Sequence, residues 1–149
     1  EDLCGNDVGR KLLILARELD LQNEFEEIAI QNLIPEHLRE GNVADFLNKL
    51  KEFDPIYDKI KAEQKPNHVL RYIGELSGDL QHDKGVLEVK LVSVPSDTAL
   101  GGLKGSDSFF EIYTESYGDR PIVIQGAGAG SAVTARGVFG YILRLSDKG

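Results

Sequence analysis

The sequence predicts an α+β fold in which helices pack on one face of a largely antiparallel or mixed β-sheet. Apolar residues recur at helical spacing near both ends of the chain, and they alternate with polar residues in its middle. The predicted elements run in the order helices, strands, helix, which is typical of helices gathered on one side of an antiparallel sheet. A chain of 149 residues can bury a core of its own and is predicted to form one domain, residues 1–149.

The first predicted element is a helix from about Asn6 to Leu19. Asp2, which precedes this helix, and Asn6, which begins it, are candidate caps, since their side-chain oxygens can accept hydrogen bonds from the first backbone N–H groups. Its apolar residues at helical spacing predict one buried stripe. These are Val8, Leu12, Leu15 and Leu19.

The remaining helices and strands follow from periodicity and turn residues. Ile28–Leu33 is a short extended candidate, residues 43–53 return to helical spacing, and Asp54-Pro55 predicts a cap followed by a helix to Ile60. Four alternating segments predict an antiparallel meander. They are Val69–Leu76, Val86–Val94, Phe109–Thr114 and Ile122–Gln125. A last helix is predicted from Ser131 to Leu145.

The amino-acid composition excludes several classes of function for this protein. The net charge of −8 argues against nucleic-acid and anionic-membrane partners, which need clustered Lys and Arg, and no segment is apolar enough to span a bilayer. A single cysteine, Cys4, and the lack of a leader favour a cytoplasmic, reducing compartment. The chain contains no methionine, so it is expected to be a piece of a longer protein.

Asp7 and Lys11 are the first candidate functional residues. Four residues apart on a helix, their side chains lie one above the other, beside the predicted apolar stripe. Spacing alone leaves two interpretations open. They are either an ordinary surface ion pair, worth a few tenths of a kcal/mol, or a carboxylate and an amine held at the edge of a cleft.

Gly126-Ala-Gly-Ala-Gly130 is the second candidate, because a glycine-rich turn between a strand and a helix can cradle a phosphate. It fits the dinucleotide fingerprint poorly, since Ser131 stands where the third glycine should fall. A tight turn for close packing and a partial cofactor contact completed by another domain both remain open. No metal site is predicted, because Cys4 and the three histidines lack the spacing of zinc ligands.

Taken together, the two ends of the chain resemble homoserine dehydrogenase. The opening residues Glu1-Asp-Leu-Cys-Gly-Asn-Asp-Val-Gly-Arg-Lys11 are similar to the family signature, close to Asp-Asp-Leu-small-Gly-x-Asp-Val-Ala-Arg-Lys. The closing part resembles the end of the family's substrate domain. Its matching pieces are Leu103–Asp107, Val123–Gly130 and Val133–Phe139.

The resemblance implies an oxidoreductase of threonine, methionine and isoleucine biosynthesis that interconverts L-aspartate 4-semialdehyde and L-homoserine. It implies NADP or NAD, bound mainly by a domain absent from this chain, and a homodimer formed through the sheet. By the motif match, Lys11 corresponds to the catalytic proton donor and acceptor. Asp7 corresponds to a catalytic and substrate-binding carboxylate, Asp2 to a substrate-binding residue, and Gly130 to a cofactor-binding glycine. The helix 131–145 is expected to return to the cofactor domain.

Several features of the chain limit what the resemblance implies. Glu1, Cys4 and Gly9 differ from the commoner residues of the signature, although none of these changes removes a proposed catalytic group. The chain is expected to fold but to lack dehydrogenase activity alone, and its parent could be a bifunctional aspartokinase–homoserine dehydrogenase or a short monofunctional enzyme. A different hypothesis is a non-catalytic α+β dimerisation module with a purely structural glycine turn.

Overall fold

A computed structural model describes residues 2–105, 107–128 and 130–147. Glu1, Ser106 and Ala129, which belong to the matched motifs, lie outside the described residues. The chain divides into two compact units, Glu1–Pro95 and Ser96–Gly149. Helices and a mixed sheet confirm the α+β class. None of the described helices is both long and apolar enough to cross a membrane.

The described residues of the first unit form three helices and three strands. In chain order they are α1 (Asn6–Glu18), β1 (Ala29–Ile30), α2 (Val43–Asn48), α3 (Asp54–Ala62), β2 (His68–Asp79) and β3 (Lys84–Pro95). Four short 3₁₀ turns connect them, at Phe25–Glu27, Glu36–Leu38, Leu50–Glu52 and Leu80–His82. The predicted helix at 43–53 therefore breaks at Lys49, and α3 begins one residue earlier than predicted, with Phe53 rather than Asp54 as its N-cap.

The sheet of the first unit has the order β1-β3-β2. Strands β2 and β3 form a long antiparallel hairpin from His68↔Pro95 to Asp79↔Lys84, and β1 pairs in parallel with β3 at Ala29↔Glu88. The second unit contains its own two-stranded sheet, β4 (Asp107–Ile112) with β5 (Ile122–Ala127), followed by α4 (Ser131–Ser146). The prediction of one four-stranded meander is therefore wrong, because the hydrogen bonds divide the strands between two sheets.

Helix α1 packs on the sheet through two small residues and one leucine. Gly9, Leu12 and Ala16 are its buried positions, and Leu12 and Ala16 join a core cluster from β3 and the segment after α1. The other buried members of that cluster are Leu21, Ile28, Leu87 and Val89. A Cβ at Gly9 would lie 3.1 Å from Ile30 Cδ1, so the helix approaches β1 more closely than a larger residue permits.

The buried stripe predicted for α1 is therefore partly wrong. Leu12 is buried, and Val8 packs against the cluster, but Leu15 is 41% exposed and Leu19 is 51% exposed. The predicted caps are also wrong, because the N-cap residue is Gly5, in the left-handed conformation and without a side-chain cap bond. Glycine adopts that conformation without the steric cost that other residues carry.

The face of the sheet turned away from α1 combines apolar and charged side chains. Residues alternate along each strand, so Ile73, Glu75, Glu88 and Lys90 lie on the side opposite Gly74, whose Cα faces Val8 and Leu12. Lys90 Nζ lies 2.8 Å from Glu75 and 2.7 Å from Glu88. The bonds to Glu75 and then Glu88 raise the pKa of Lys90. Its contribution to stability is therefore present below the ordinary lysine value of 10.5 and is lost as pH rises through the raised value.

Candidate active site

Helix α1 brings Asp7 and Lys11 together, as the spacing predicts. Lys11 Nζ donates to Asp7 Oδ2 over 2.7 Å, and Asp7 stands in the first turn of the helix, where the helix dipole favours a negative charge. The Lys11 side chain is 71% exposed and that of Asp7 is 39% exposed. The pair is thus ordered by its own hydrogen bond, with the ammonium group open to solvent.

The sequence predicted that the pair lies at the edge of the buried face of the helix. The structure places it elsewhere. An α-helix turns about 100° per residue, which places Asp7 and Lys11 on the side opposite Gly9 and Ala16. Two apolar side chains on this side of the helix, those of Ile14 and Leu15, are exposed as well. The ion pair therefore stands on an exposed helix face that also carries some apolar surface.

Asp2 lies in the turn that leads into α1. Its backbone oxygen accepts a hydrogen bond from Gly5 N at 3.3 Å, and Gly5 O in turn accepts from Gly9 N at 2.9 Å inside the helix. The Asp2 side chain is exposed. Asp2, Asp7 and Lys11 therefore occupy one continuous stretch of backbone, and only the last two are joined by a side-chain bond that the structure defines.

Gly130 belongs to the second unit, where it immediately precedes α4 as its N-cap residue. Its φ is +131°, a conformation that side-chain-bearing residues rarely adopt, and no heavy atom lies within 4 Å of a Cβ built there. Gly128 is different, since a Cβ at that position would collide with the Ser108 side chain. Close packing therefore accounts for Gly128, whereas Gly130 presents open backbone.

A cleft lies elsewhere in the first unit, between α3 and the inner face of the sheet. It has a volume of about 510 Å³, and its lining includes Ile60, Leu91 and His68 rather than Asp7 or Lys11. The ion pair itself stands on a convex helix surface. Since substrate sites are usually concave and exclude most water, Asp7 and Lys11 do not form such a site by themselves.

The sequence did not single out the residues that support the start of α1. Gly5 has a φ of +81°, and a Cβ there would collide with the Tyr72 hydroxyl. That hydroxyl donates to Gln31 O over 2.6 Å. The only signal in the sequence is a glycine directly before a predicted helix, since the contact with Tyr72 joins residues far apart in the chain.

Comparison with known proteins decides the family. Residues 1–143 match the family described as homoserine dehydrogenase. The chain belongs to the homoserine dehydrogenase family. It is 38% identical to the homoserine dehydrogenase of Paracoccidioides brasiliensis over 151 residues, which is 99% of this chain and 40% of that protein. It is 40% identical to the enzyme of Emericella nidulans, covering 99% of this chain and 41% of that one.

Bifunctional proteins are similar to the same extent. The chain is 38% identical to the chloroplastic bifunctional aspartokinase/homoserine dehydrogenase 1 of Arabidopsis thaliana, over 98% of this chain and 16% of that protein. Among solved structures, a Candida auris protein described as of unknown function superposes with a TM-score of 0.76 at 37% identity. That match covers 98% of this chain and 40% of the other. The chain thus spans about 40% of its fungal relatives and 16% of the plant one.

Proposed function

We propose that this chain forms the Asp–Lys wall of the substrate site in a dehydrogenase that interconverts L-aspartate 4-semialdehyde and L-homoserine. The observation that carries the proposal is the Asp7–Lys11 pair, ordered at 2.7 Å with its ammonium group exposed. Membership of the homoserine dehydrogenase family supports this reaction, and the relatives named for it align over nearly the full chain.

Lys11 has the chemistry that aldehyde reduction needs. When bound, a nicotinamide cofactor supplies the hydride, and the carbonyl oxygen of the substrate then carries alkoxide character. A lysine ammonium beside that oxygen stabilises the developing charge and donates a proton from Nζ, and the neutral amine accepts the proton in the reverse direction. Oxidation and reduction take place on the substrate and the cofactor, and Lys11 changes only its protonation state.

Asp7 holds Lys11 and can contact substrate at the same time. An ionised carboxylate has about four acceptor positions, so one bond to Lys11 leaves capacity for the amino group of homoserine. Asp2, on the same stretch of backbone, adds a second carboxylate for that amino group. Their negative charges match an amino-acid ammonium, which is the feature that distinguishes this substrate from a simple aldehyde.

The exposed surroundings of the pair indicate that another part of the protein completes the site. Proton transfer to a developing alkoxide is most effective where water is excluded, and Ile14 and Leu15 present an apolar border that a second surface could cover. We expect this second surface to be the cofactor-binding domain, which would hold NADP or NAD.

The isolated chain is therefore expected to have no measurable dehydrogenase activity. Homoserine-dependent reduction of NADP and of NAD should be measured for the isolated chain and for the complete protein that contains it. The complete protein should turn over with one of the two cofactors. If the isolated chain were as active as the complete protein, the proposal that another domain completes the site would be contradicted. If the complete protein were inactive, the proposed reaction would be contradicted.

Gly130 fits contact with the cofactor, since open backbone at a positive φ is what a closely approaching ligand requires. Gly130→Val should raise the apparent KM for NADP or NAD severalfold. Gly126→Val is the matched control, because Gly126 also has open space around a Cβ position but no positive φ. A loss of thermal stability in Gly130→Val with an unchanged cofactor KM would support the structural-turn hypothesis instead.

We also propose that the outer face of the first unit's sheet mediates homodimerisation. The face carries apolar residues on both long strands around the Glu75–Lys90–Glu88 cluster, and Ile73 lies directly opposite Lys90. The core of a homodimer interface is more apolar than the rest of the surface, and the apolar residues of this face could supply such a core.

Ile73→Lys should dissociate that dimer, because it places an extra, unpaired cation beside Lys90. The mass of the complete protein in solution, measured by light scattering, should fall to that of one chain. Ile56→Lys at an exposed apolar position on α3 serves as the control and should leave the mass unchanged. A monomeric wild type would contradict the proposed interface.

A further inference from the structure

The Tyr72 hydroxyl lies where the sheet meets the start of α1. Tyr72 is on the same face of β2 as Gly74, the face that packs against α1, and its hydroxyl donates to Gln31 O over 2.6 Å. Burial is the main cause that raises the pKa of Tyr72. The hydroxyl therefore remains a protonated donor at any pH near neutrality.

The same hydroxyl supports the backbone at Gly5. A Cβ at Gly5 would collide with it and would lie 2.7 Å from Ile30 Cγ2. Gly5 N donates to Asp2 O, and Gly5 O accepts from Gly9 N. The backbone resting on Tyr72 is thus the point at which the turn carrying Asp2 joins the helix carrying Asp7 and Lys11.

Gln31 fixes its segment to the sheet from both backbone and side chain. Its N–H donates to Val89 O over 2.8 Å, and its Oε1 accepts from Leu91 N, also over 2.8 Å. Since Tyr72 binds the carbonyl of Gln31, three of the polar groups of this one residue connect it to β2 and β3. Gln31 is therefore a rigid attachment point.

A second tyrosine binds the same segment two residues after Gln31. Tyr57, on α3, donates its hydroxyl to Leu33 O over 3.0 Å, and Leu33 N donates to Leu3 O over 2.9 Å. Leu3 lies in the turn between Asp2 and Gly5. The segment 31–33 therefore connects both tyrosine hydroxyls to the turn that precedes α1.

We propose that Tyr72 and Tyr57 are positioning residues of the substrate site, holding residues 2–5 and the first turn of α1 through Gly5 and the segment 31–33. The inference rests on the proposed function of Asp2, Asp7 and Lys11. Neither tyrosine contacts the reacting atoms. They act by keeping the carboxylates and the amine in the geometry that proton transfer and substrate binding require, since small displacements of reacting groups lower the rate strongly.

The first measurement is amide hydrogen exchange in the complete protein. Tyr72→Phe and Tyr57→Phe each delete one hydroxyl with little change in volume. Both should accelerate exchange at the Leu33 and Gly9 amides about five- to tenfold, as expected for loss of one net hydrogen bond, and leave the central β2–β3 amides unchanged. Tyr117→Phe is the matched control, because Tyr117 is 62% exposed in the other unit.

The second measurement is steady-state kinetics of the same variants. Tyr72→Phe should lower kcat/KM for homoserine about tenfold or more while the cofactor KM stays within twofold of wild type, and Tyr117→Phe should match wild type in both. Unchanged exchange at Leu33 and Gly9, or equal acceleration at all amides, would overturn the positioning role whatever the activity. Local acceleration with unchanged turnover would also overturn it. An inactive Lys11→Ala beside an unaffected Tyr72→Phe would leave the proposed function standing and reject this inference alone.

Discussion

Replacing Lys11 with Ala in the complete protein is expected to reduce kcat for homoserine oxidation by about 10²- to 10⁴-fold, the usual contribution of a positioned general acid–base group. That loss corresponds to roughly 3–5 kcal/mol of transition-state stabilisation. The free energy of unfolding should change far less. An exposed pair four residues apart on a helix contributes only about 0.3–0.5 kcal/mol, and Lys11 is exposed.

The chain offers a matched control for this variant. Lys59 on α3 forms an exposed pair with Glu63, also four residues away, at 3.9 Å. Lys59→Ala should have a similarly small effect on stability and none on turnover. If both variants retain wild-type turnover, Lys11 is an ordinary surface lysine and the proposed proton transfer is wrong.

Lys11→Arg distinguishes proton transfer from simple charge stabilisation. A guanidinium group keeps the positive charge and can still bond to Asp7, but it does not lose its proton at working pH. We expect Lys11→Arg to remain nearly as slow as Lys11→Ala, and its rate should be measured in both reaction directions. Recovery of most of the activity would indicate that only the charge of Lys11 matters.

The sequence predicts the positions of the main helices and strands because periodicity is strong there. The opening helix is predicted at 6–19 and found at Asn6–Glu18, and the last is predicted at 131–145 and found at Ser131–Ser146. The alternation of Leu87 and Val89 with Glu88 and Lys90 correctly predicts a strand with one buried face. In these segments local pattern and tertiary packing agree.

The buried face of α1 could not be predicted from hydrophobicity. Gly9 and Ala16 contribute little to an apolar stripe, yet both are buried, and the small size of Gly9 allows close approach to β1. The larger Leu15 is left exposed, and Leu19 lies beyond the last residue of the helix. Because of this error the prediction placed Asp7 and Lys11 at the edge of the core, whereas in the structure they lie on the side of α1 that faces away from the sheet.

The sequence also could not predict which strands pair with each other. The two-residue strand β1 joins β3 in parallel, and its neighbour Gln31 bonds to β3 and Tyr72 across 41 residues of sequence or more. Such contacts depend on the folded path of the chain, for which a single sequence carries no local signal. The contacts of Tyr72 and Gln31 beside the start of α1 were missed for this reason.

Gly5→Ala should cause a large loss of stability in the first unit. A non-glycine residue in the left-handed conformation costs about 1–2 kcal/mol, and Gly5 has a φ of +81°. Overpacking adds typically about 1–3 kcal/mol, and here the new Cβ would meet the Tyr72 hydroxyl and Ile30. We expect the free energy of unfolding to fall by roughly 2–5 kcal/mol, measured by chemical denaturation.

Gly41→Ala separates the two causes. Gly41 also has a positive φ, +115°, but a Cβ there would meet only Asp45 at ordinary contact distances of 3.7–3.8 Å. That variant should lose only the backbone contribution, so Gly5→Ala should be clearly the less stable of the two. A double variant, Gly5→Ala with Tyr72→Phe, removes the colliding hydroxyl and should recover part of the difference. If Gly5→Ala were no less stable than Gly41→Ala, the close approach of Tyr72 and Ile30 to Gly5 would be contradicted, because these contacts are what distinguish Gly5 from a glycine in an open turn.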